Sequence, residues 1–264
     1  MQRAGGGPRE RAYTGSMHPS RRIDMFRYRA AGLLARSVLW SNIQPRWLVK
    51  TNALRTAINF SIANNVVGDY LEFGVYRGSS FARAYRWHAG AFRAYGRSQT
   101  ATGSEFLTYQ RQFFAFDSFV GLPKVDQTTL PLHWRGEHAM GCAEDTFLAN
   151  VYAAGIPRER VTTIPGFYDR VLTPELYQRY DLRRAAVVHI DCDLYESAVS
   201  VLDFIYPLLV GGTVIVFDDW FFYDGHPARG EQGAFHAWLG MHPDLVQTTL
   251  CICYPAAAFI VNRA

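Results

Sequence analysis

Two apolar runs in the second half of the chain restrict the fold more than any other feature. They read VVHI, residues 187–190, and TVIVF, residues 213–217. Near-continuous apolar runs of this length are typical of strands that are buried on both faces of a sheet. From Tyr70 onward, such strand patterns alternate with segments whose apolar residues recur at helical spacing. This alternation predicts an α/β protein with a doubly wound, mostly parallel sheet and helices on both faces.

The same patterns give approximate positions for the individual elements. Strands are predicted at residues 70–76, 113–119, 161–167, 185–193 and 213–219. Helices are predicted after Gly78 and at 144–154, 173–180, 197–209 and 229–240. The helix at 197–209 should end at Gly211–Gly212, because glycine commonly follows the C-terminus of a helix. The segments VQTTLCICY and AAAFIVNR are predicted to form an antiparallel pair at the end of the chain.

The N-terminal part of the chain has a different character. Residues 1–20 are rich in Gly, Pro, Arg and Ser and are expected to be a disordered basic tail. Residues 21–66 should form a helical segment that contributes substrate or dimer contacts, ahead of an α/β domain at 67–264. Seven arginines against two acids give residues 1–30 a local charge of +5, whereas the whole chain carries +4. The folded remainder is therefore nearly neutral, which argues against a nucleic-acid partner.

Neither membrane insertion nor secretion is indicated by the sequence. No uninterrupted apolar run approaches the roughly 18 residues of a membrane span. The N-terminus has arginines but lacks the apolar core of a secretory signal. The four cysteines form no CxxC pair. We therefore expect a cytoplasmic protein with reduced thiols and no membrane span.

Acidic residues concentrate where the predicted strands end. Ligands of doubly wound sheets bind in the crevice beyond the carboxyl ends of the strands. Glu72, in contrast, lies within the first strand. The acids at strand ends are Asp117, Asp191, Asp193, Asp218 and Asp219. This distribution predicts a ligand site at that edge of the sheet.

A glycine turn follows the first strand. Its pattern, Glu72-x-Gly74-x-x-x-Gly78, differs from the GxGxxG dinucleotide fingerprint because bulky residues separate the glycines. The spacing matches the turn that accommodates the methionine part of S-adenosylmethionine, although a plain glycine helix start has the same appearance. Asp117 ends the next strand, where an acid can accept hydrogen bonds from ribose hydroxyls or form an Asx turn.

Asp191 should meet Asp218 and Asp219 if the two strands that precede them are neighbours. Three carboxylates held together repel one another unless a cation or protons lie among them. An all-oxygen ligand set suits Mg²⁺, Mn²⁺ or Ca²⁺ better than Zn²⁺. Asp193 is interpreted as the cap of the following helix or as an outer acid, and His189 as a hydrogen-bonded structural histidine. His133, Trp134 and His138 lie in a long loop at 120–143 that could line an acceptor site.

Taken together, four segments resemble the macrocin O-methyltransferase family, whose members use S-adenosylmethionine to methylate sugar hydroxyls of macrolides. The segments read YLEFGVYRGSS, FAFDSFVGLP, HIDCDLYES and LLVGGTVIVFDDW, and the resemblance covers about residues 45–220. It implies a seven-stranded, Rossmann-like class I methyltransferase sheet whose last strand is antiparallel, with N-terminal helices in front of it.

The resemblance also implies a set of site residues. Mg²⁺, or another oxygen-preferring cation, would be held by Asp191, Asp218 and Asp219. Asp117 would contact the ribose of the donor, and Gly166 would lie near its adenine. The remaining donor contacts would come from Glu72, Gly74, Tyr76, Arg77, Gly78 and Ser79. The acceptor would be a saccharide-containing small molecule, and a homo-oligomer is compatible with the pattern.

The group that removes the acceptor proton is not fixed by the sequence. Catechol-type relatives of this fold use a lysine just after the first metal aspartate, but no lysine follows Lys124 in this chain. Asp191 is the primary candidate for catalysis, with Asp193 and His189 as alternatives. Two other functions stay open: a metal-dependent glycosyltransferase that uses Asp191-x-Asp193, and a non-catalytic nucleoside-binding protein. A haloacid-dehalogenase-type phosphatase is excluded because such an enzyme needs a lysine between its two acidic motifs, and this chain has no lysine after Lys124.

Overall fold

One seven-stranded sheet organises the part of the chain that the structure describes. This structure is a computed structural model, and it describes residues 46–95, 105–123 and 141–264. The strands lie in the order β3-β2-β1-β4-β5-β7-β6. Their bounds are β1 Asp69–Phe73, β2 Phe113–Asp117, β3 Val161–Pro165, β4 Ala185–Ile190, β5 Leu209–Phe217, β6 Leu245–Cys253 and β7 Ala256–Arg263. Strands β1 to β5 pair in parallel, whereas β7 is antiparallel to both β5 and β6.

Helices connect the parallel strands and cover both faces of the sheet. Their bounds are α1 Arg46–Ala63, α2 Ser79–Tyr95, α3 Glu105–Thr108, α4 Glu144–Ala153, α5 Tyr168–Val171, α6 Glu175–Arg179, α7 Tyr195–Ile205 and α8 Gly230–Met241. Among the described residues, short 3-10 turns lie at Arg158–Arg160, Tyr206–Leu208 and Tyr223–Gly225. The predicted α/β class, the doubly wound sheet and the antiparallel last strand are therefore confirmed.

The two faces of the sheet are packed by different helices. On one face, Leu54 and Ile58 of α1 and Phe81 of α2 are fully or almost fully buried against Tyr70 and Val187. On the other face, α7 and α8 pack over Phe73, Phe116 and Phe217. The rings of Phe73 and Phe116 stack with centroids 4.3 Å apart. Every residue of VVHI in β4 and of TVIVF in β5 is buried, as these two apolar runs predict.

The strands end earlier than the sequence suggests. Strand β4 ends at Ile190 and β5 ends at Phe217, so the acids that follow them lie outside the strands. The prediction that Gly211–Gly212 would terminate a helix at 197–209 is wrong. Helix α7 ends at Ile205, because the ring of Pro207 cannot continue an α-helix. The two glycines lie within β5, which begins at Leu209.

Helix α1 is the described part of the predicted N-terminal helical segment. It contacts β5, β6, β7 and α2, and residues 46–264 form one compact unit. The predicted tail at 1–20, and the segment 21–45, lie outside the described residues. Within the described ranges, no helix combines the length and the apolar character required to cross a bilayer.

Candidate active site

The carboxyl ends of β4 and β5 bring together the acids that follow them, beside the end of β1. The backbone amide of Asp191 donates to the carbonyl of Phe73 at 2.8 Å, and the amide of Asp218 donates to the carbonyl of Ile190 at 2.9 Å. Strands β4 and β5 are neighbours in the sheet, as the sequence argument required. The side chains of Asp191 and Asp218 therefore project beyond the sheet at the same edge.

Two overlapping groups at this edge could hold a metal ion. One consists of His189, Asp191 and Asp218, and the other of Asp191, Asp193 and Asp219. Within each group the possible ligand atoms lie within 4.8 Å of one another. Asp191 belongs to both groups and is the half-exposed member, whereas the other four residues are buried. The predicted ligands Asp191, Asp218 and Asp219 are thus divided between two groups that share Asp191.

Asp193 does not cap the helix that follows it, so the first of its two interpretations is wrong and that of an acid of the cluster remains. Leu194 is the first flanking residue of α7, and no side chain caps that helix end. Asp193 instead adopts a left-handed backbone conformation with φ 62° and turns its side chain into the acidic cluster. Burial raises the pKa of Asp193 well above its usual range, and a side-chain hydrogen bond with Asp219 adds to the shift. Because a left-handed conformation is uncommon outside glycine, it marks a locally constrained loop.

The glycine turn after β1 packs directly against the backbone of the acidic cluster. Gly74 has φ 88°, and a Cβ atom there would lie 1.9 Å from the carbonyl oxygen of Asp191. Gly78 has φ 81°, and its Cβ would lie 2.7 Å from Val151 of α4. Both positions therefore require glycine for packing within the protein itself. Tyr76 and Arg77, between the glycines, are exposed at the surface of the turn.

Asp117 links the end of β2 to this turn by hydrogen bonds. One of its carboxylate oxygens accepts hydrogen bonds from the backbone amides of Val75 at 2.9 Å and Tyr76 at 3.1 Å. The other accepts from the amide of Phe119 at 2.9 Å, which is the Asx turn anticipated as an alternative. Three of roughly four acceptor positions of the carboxylate are therefore used inside the protein.

Gly166 lies beside Asp117 at the end of β3. Its amide donates to the carbonyl of Asp117 at 2.9 Å, and its φ is 138°. A Cβ at Gly166 would lie 2.3 Å from Val171, so this turn also requires glycine. The turns after β1, β2 and β3 thus form one continuous rim. His133, Trp134 and His138 of the predicted acceptor loop lie outside the described residues.

Buried polar side chains of β1 and β4 lie beneath this rim. Glu72 is fully buried and accepts hydrogen bonds from the hydroxyls of Tyr70 and Ser80. His189 is its register partner on β4, with Nδ1 3.6 Å from Glu72 and Nε2 3.5 Å from Asp218. These distances exceed ordinary hydrogen bonds, so His189 is a buried neighbour of both acids rather than the hydrogen-bonded histidine expected from the sequence.

The sequence model of the family described as Macrocin-O-methyltransferase (TylF) matches residues 48–246. That match covers most of the chain and includes every residue of the acidic edge and the glycine turn. This chain belongs to the macrocin O-methyltransferase family. Family membership confirms the resemblance that the four sequence segments indicated.

Two curated relatives are named as O-methyltransferases. An 8-demethyl-8-(2,3-dimethoxy-alpha-L-rhamnosyl)-tetracenomycin-C 4'-O-methyltransferase from Streptomyces olivaceus is 29% identical over 183 residues, covering 66% of this chain and 60% of the relative. Mycinamicin III 3''-O-methyltransferase from Micromonospora griseorubida is 27% identical over 180 residues, covering 65% of this chain and 62% of the relative. The chain therefore spans about three fifths of the length of these relatives.

A solved structure of an O-methyltransferase supports the fold. The structure of the O-methyltransferase NovP superposes with a TM-score of 0.62 at 21% identity, over 81% of this chain and 80% of the other. At this level of identity the likeness concerns the fold, and it agrees with the class I methyltransferase sheet implied by the sequence.

The acidic edge contains one further buried acid, Glu231, that the sequence pattern did not indicate. Glu231, in the first turn of α8, accepts hydrogen bonds from the amide of Asp219 at 3.0 Å and from that of Cys192 at 3.3 Å. Burial, with Asp219 and Asp191 nearby, raises the pKa of Glu231 well above its usual range. An acid in the first turn of a helix is ordinary in sequence, because it favours the helix dipole. Nothing in the residue pattern therefore distinguished it.

Proposed function

We propose that this chain is an S-adenosylmethionine-dependent and divalent-cation-dependent O-methyltransferase that acts on a hydroxyl of a sugar or glycosylated small molecule. Family membership supports methyl transfer to oxygen. One relative is named for a rhamnosyl-bearing acceptor, which supports the acceptor class. Because the match spans about three fifths of the relatives, the activity of the whole protein rests on the tests below.

One observation carries the proposal: the glycine turn and the acidic cluster are a single packed unit. A Cβ at Gly74 would overlap the carbonyl oxygen of Asp191, so no side chain separates the two. A methyl donor held on the turn would therefore lie next to an acceptor hydroxyl held at the acids. Methyl transfer needs such alignment of the two reacting groups more than it needs covalent help from the protein.

The residues around the turn fit the donor. S-adenosylmethionine supplies an electrophilic methyl group on a sulfonium. We assign the methionine part to the segment from Gly74 to Ser79, where Tyr76 and Arg77 are exposed and the N-terminus of α2 offers backbone amides. Asp117 retains about one acceptor position for the ribose, and Gly166 borders the adenine side. Glu72 is fully buried, so we expect it to support the turn through Ser80.

The acidic edge fits a hard divalent cation. Within each of the two groups at this edge the possible ligand atoms lie within 4.8 Å of one another, and all of them except the nitrogen of His189 are carboxylate oxygens, which Mg²⁺ and Mn²⁺ prefer. We assign Asp191, Asp218 and Asp219 as ligands. A bound cation supplies the positive charge that lowers the pKa of a nearby hydroxyl. The same charge relieves the repulsion among the buried acids.

A carboxylate of the cluster must accept the proton of the acceptor hydroxyl as its oxygen bonds to the methyl carbon and the carbon–sulfur bond breaks. Asp191 is our primary catalytic residue, because it is the half-exposed acid and belongs to both groups. Asp193 is the alternative, since it lies in the same cluster outside the proposed ligand set. No lysine follows Lys124 in the chain, so a lysine just after Asp191, as catechol-type enzymes use, is excluded.

Calorimetry and transfer of a labelled methyl group test the proposal. The wild-type chain should bind S-adenosylmethionine, and with Mg²⁺ it should methylate at least one member of a glycoside panel. Asp218→Ala should bind the donor nearly as well and lose transfer. Binding of a UDP-sugar without binding of the methyl donor would instead indicate the glycosyltransferase. Donor binding without transfer to any hydroxyl acceptor would indicate a non-catalytic protein.

A further inference from the structure

Glu231 occupies an unusual position for an acid that is absent from the proposed ligand set. It is 1% exposed and lies against a cluster that already contains Asp191, Asp193 and Asp219. Burying another carboxylate beside these acids costs free energy unless its oxygens form compensating hydrogen bonds. Its two oxygens do so by accepting one backbone amide each, from Cys192 and Asp219.

The two amides belong to different loops of the site. Cys192 lies between Asp191 and Asp193 in the loop after β4, and Asp219 lies in the loop after β5. One carboxylate therefore ties together the two segments that carry the acids. The backbone bond from the amide of Asp218 to the carbonyl of Ile190 joins the loop after β5 to the last residue of β4 rather than to the loop that follows it.

Helix α8 holds Glu231 firmly in this place. Gly230, just before it, has φ 54°, and a Cβ there would lie 2.7 Å from the ring of Tyr223. Gly233 approaches the backbone of Ala228 so closely that a Cβ would lie 2.4 Å from its carbonyl carbon. The hydroxyl of Tyr223 in turn donates to the carbonyl of Asp193 at 3.3 Å. The start of α8 is thus packed onto the acidic loops by close contacts on both sides of Glu231.

We propose that Glu231 is a positioning residue for the cation site: its carboxylate fixes the loops after β4 and β5 so that Asp191 and Asp219 can present oxygens to one divalent cation. This inference rests on the proposed cation dependence. It assigns to Glu231 no contact with the cation or with the substrate. Groups that orient metal ligands commonly change metal affinity by roughly 10- to 100-fold when they are removed.

Two conservative variants separate position from charge. Glu231→Gln keeps the length but offers one acceptor oxygen, so only one amide can be bonded. Glu231→Asp keeps the charge but is one methylene shorter, so it cannot span both loops. Positioning predicts that both variants lose affinity for the cation, whereas a purely electrostatic role predicts that only Glu231→Gln does. Glu196→Gln, an exposed acid in the first turn of α7, is the matched control.

The experiment measures Mn²⁺ affinity by calorimetry on the full chain without donor, and S-adenosylmethionine affinity in parallel. We expect Mn²⁺ affinity to fall about 10-fold or more in both Glu231 variants, with donor affinity within about twofold of wild type and Glu196→Gln unchanged. Backbone amides of residues 192 and 219 should exchange faster in both variants, which reports the loss of the two bonds independently of cation. Raised Mn²⁺ should restore the methyl-transfer rate of Glu231→Asp.

The outcomes distinguish this inference from the function on which it rests. If wild-type protein binds Mn²⁺ and folded Glu231 variants bind it equally well, the positioning role is overturned while the methyltransferase proposal stands. Full affinity in Glu231→Asp alone would also overturn it, because charge would then suffice. If wild-type protein binds no divalent cation, both this inference and the cation dependence are overturned.

Discussion

Nδ1 of His189 lies 3.6 Å from a carboxylate oxygen of Glu72, and both side chains are almost completely buried. On its other side the same ring approaches Asp218 at 3.5 Å. The imidazole therefore separates an acid beneath the glycine turn from an acid at the cation edge. The glycine turn and the acidic edge of the proposed site therefore both lie next to this one buried ring.

Replacement of His189 with Leu should destabilise the protein, because Glu72 and Asp218 would then face an apolar group in a buried position. The ring forms no ordinary hydrogen bond with either acid, but the loss of a polar neighbour beside two buried carboxylates should lower the free energy of unfolding by about 1–3 kcal/mol. Urea unfolding measures the change, with the exposed His226→Gln as the control. Unchanged stability in His189→Leu would show that the buried acids do not depend on the ring.

Gly74→Ala should weaken binding at both the glycine turn and the acidic edge. The new methyl group would collide with the carbonyl of Asp191, and its φ of 88° disfavours any residue other than glycine. We expect reduced affinity for S-adenosylmethionine and for Mn²⁺ together with a lower melting temperature. Gly240→Ala is the matched control, because nothing lies within 4 Å of its Cβ in helix α8. That change should stabilise the protein, by up to about 1 kcal/mol. Normal binding of both ligands by Gly74→Ala would contradict the shared packing.

Asp117→Asn should loosen the glycine turn, since an amide oxygen cannot replace a carboxylate that accepts three backbone hydrogen bonds. We expect the affinity for S-adenosylmethionine to fall about 10-fold, equivalent to about 1.4 kcal/mol. Cation affinity should change little, because Asp117 lies outside both acidic groups. Calorimetry on Asp117→Asn and on the exposed control Asp169→Asn measures the difference. Equal donor affinities would remove Asp117 from the donor site.

The two candidates for the proton acceptor can be separated by paired variants. Asp191→Asn should lower both Mn²⁺ affinity and the rate of methyl transfer, because Asp191 is assigned both roles. Asp193→Asn should lower Mn²⁺ affinity less. If Asp193→Asn binds donor and cation normally yet loses transfer, Asp193 is the proton acceptor and the assignment to Asp191 is wrong. Rates measured at saturating cation keep binding and chemistry apart.

Acid should destabilise the fold through His88. Burial, with Arg111 and Arg160 nearby, lowers the pKa of His88 from 6.5 to about 3. The folded protein therefore keeps this ring neutral while the unfolded chain protonates it below about pH 6.5. The part of the unfolding free energy that depends on the neutral ring is fully present above that pH. It decreases as the pH falls, by about 2 kcal/mol at pH 5. His88→Phe should flatten the dependence of unfolding free energy on pH between 6.5 and 4.5, and parallel curves for the two proteins would contradict the assignment.

The sequence predicted those features that depend on local pattern and on strand order. Alternating apolar segments located the strands, and acids directly after β4 and β5 located the edge of the sheet where they converge. Strand ends were placed two or three residues late, because nothing in the residue types from Asp191 to Asp193 marks the point at which the chain leaves the hydrogen-bonded ladder of β4. The helix end at Ile205 was misplaced because Pro207 outweighs the glycines that follow it.

Features that depend on tertiary packing were not accessible in the same way. Asp193 has the residue type of a helix cap, but its left-handed backbone directs the carboxylate into the cluster instead. Glu231 lies 40 residues after Asp191 in sequence, and its role appears only when α8 packs on the loops after β4 and β5. Gly74 was expected to make room for a ligand, whereas its nearest neighbour is the backbone of Asp191.

The central claim is that the donor turn and the acidic edge form one site. Binding S-adenosylmethionine that carries a ¹³C-labelled methyl group, and then titrating Mn²⁺, tests it most directly through paramagnetic broadening of the methyl NMR signal. We predict strong broadening in the wild-type protein and none in Asp218→Ala, with donor bound in both. A methyl signal that stays sharp in wild-type protein with both ligands bound would contradict the account.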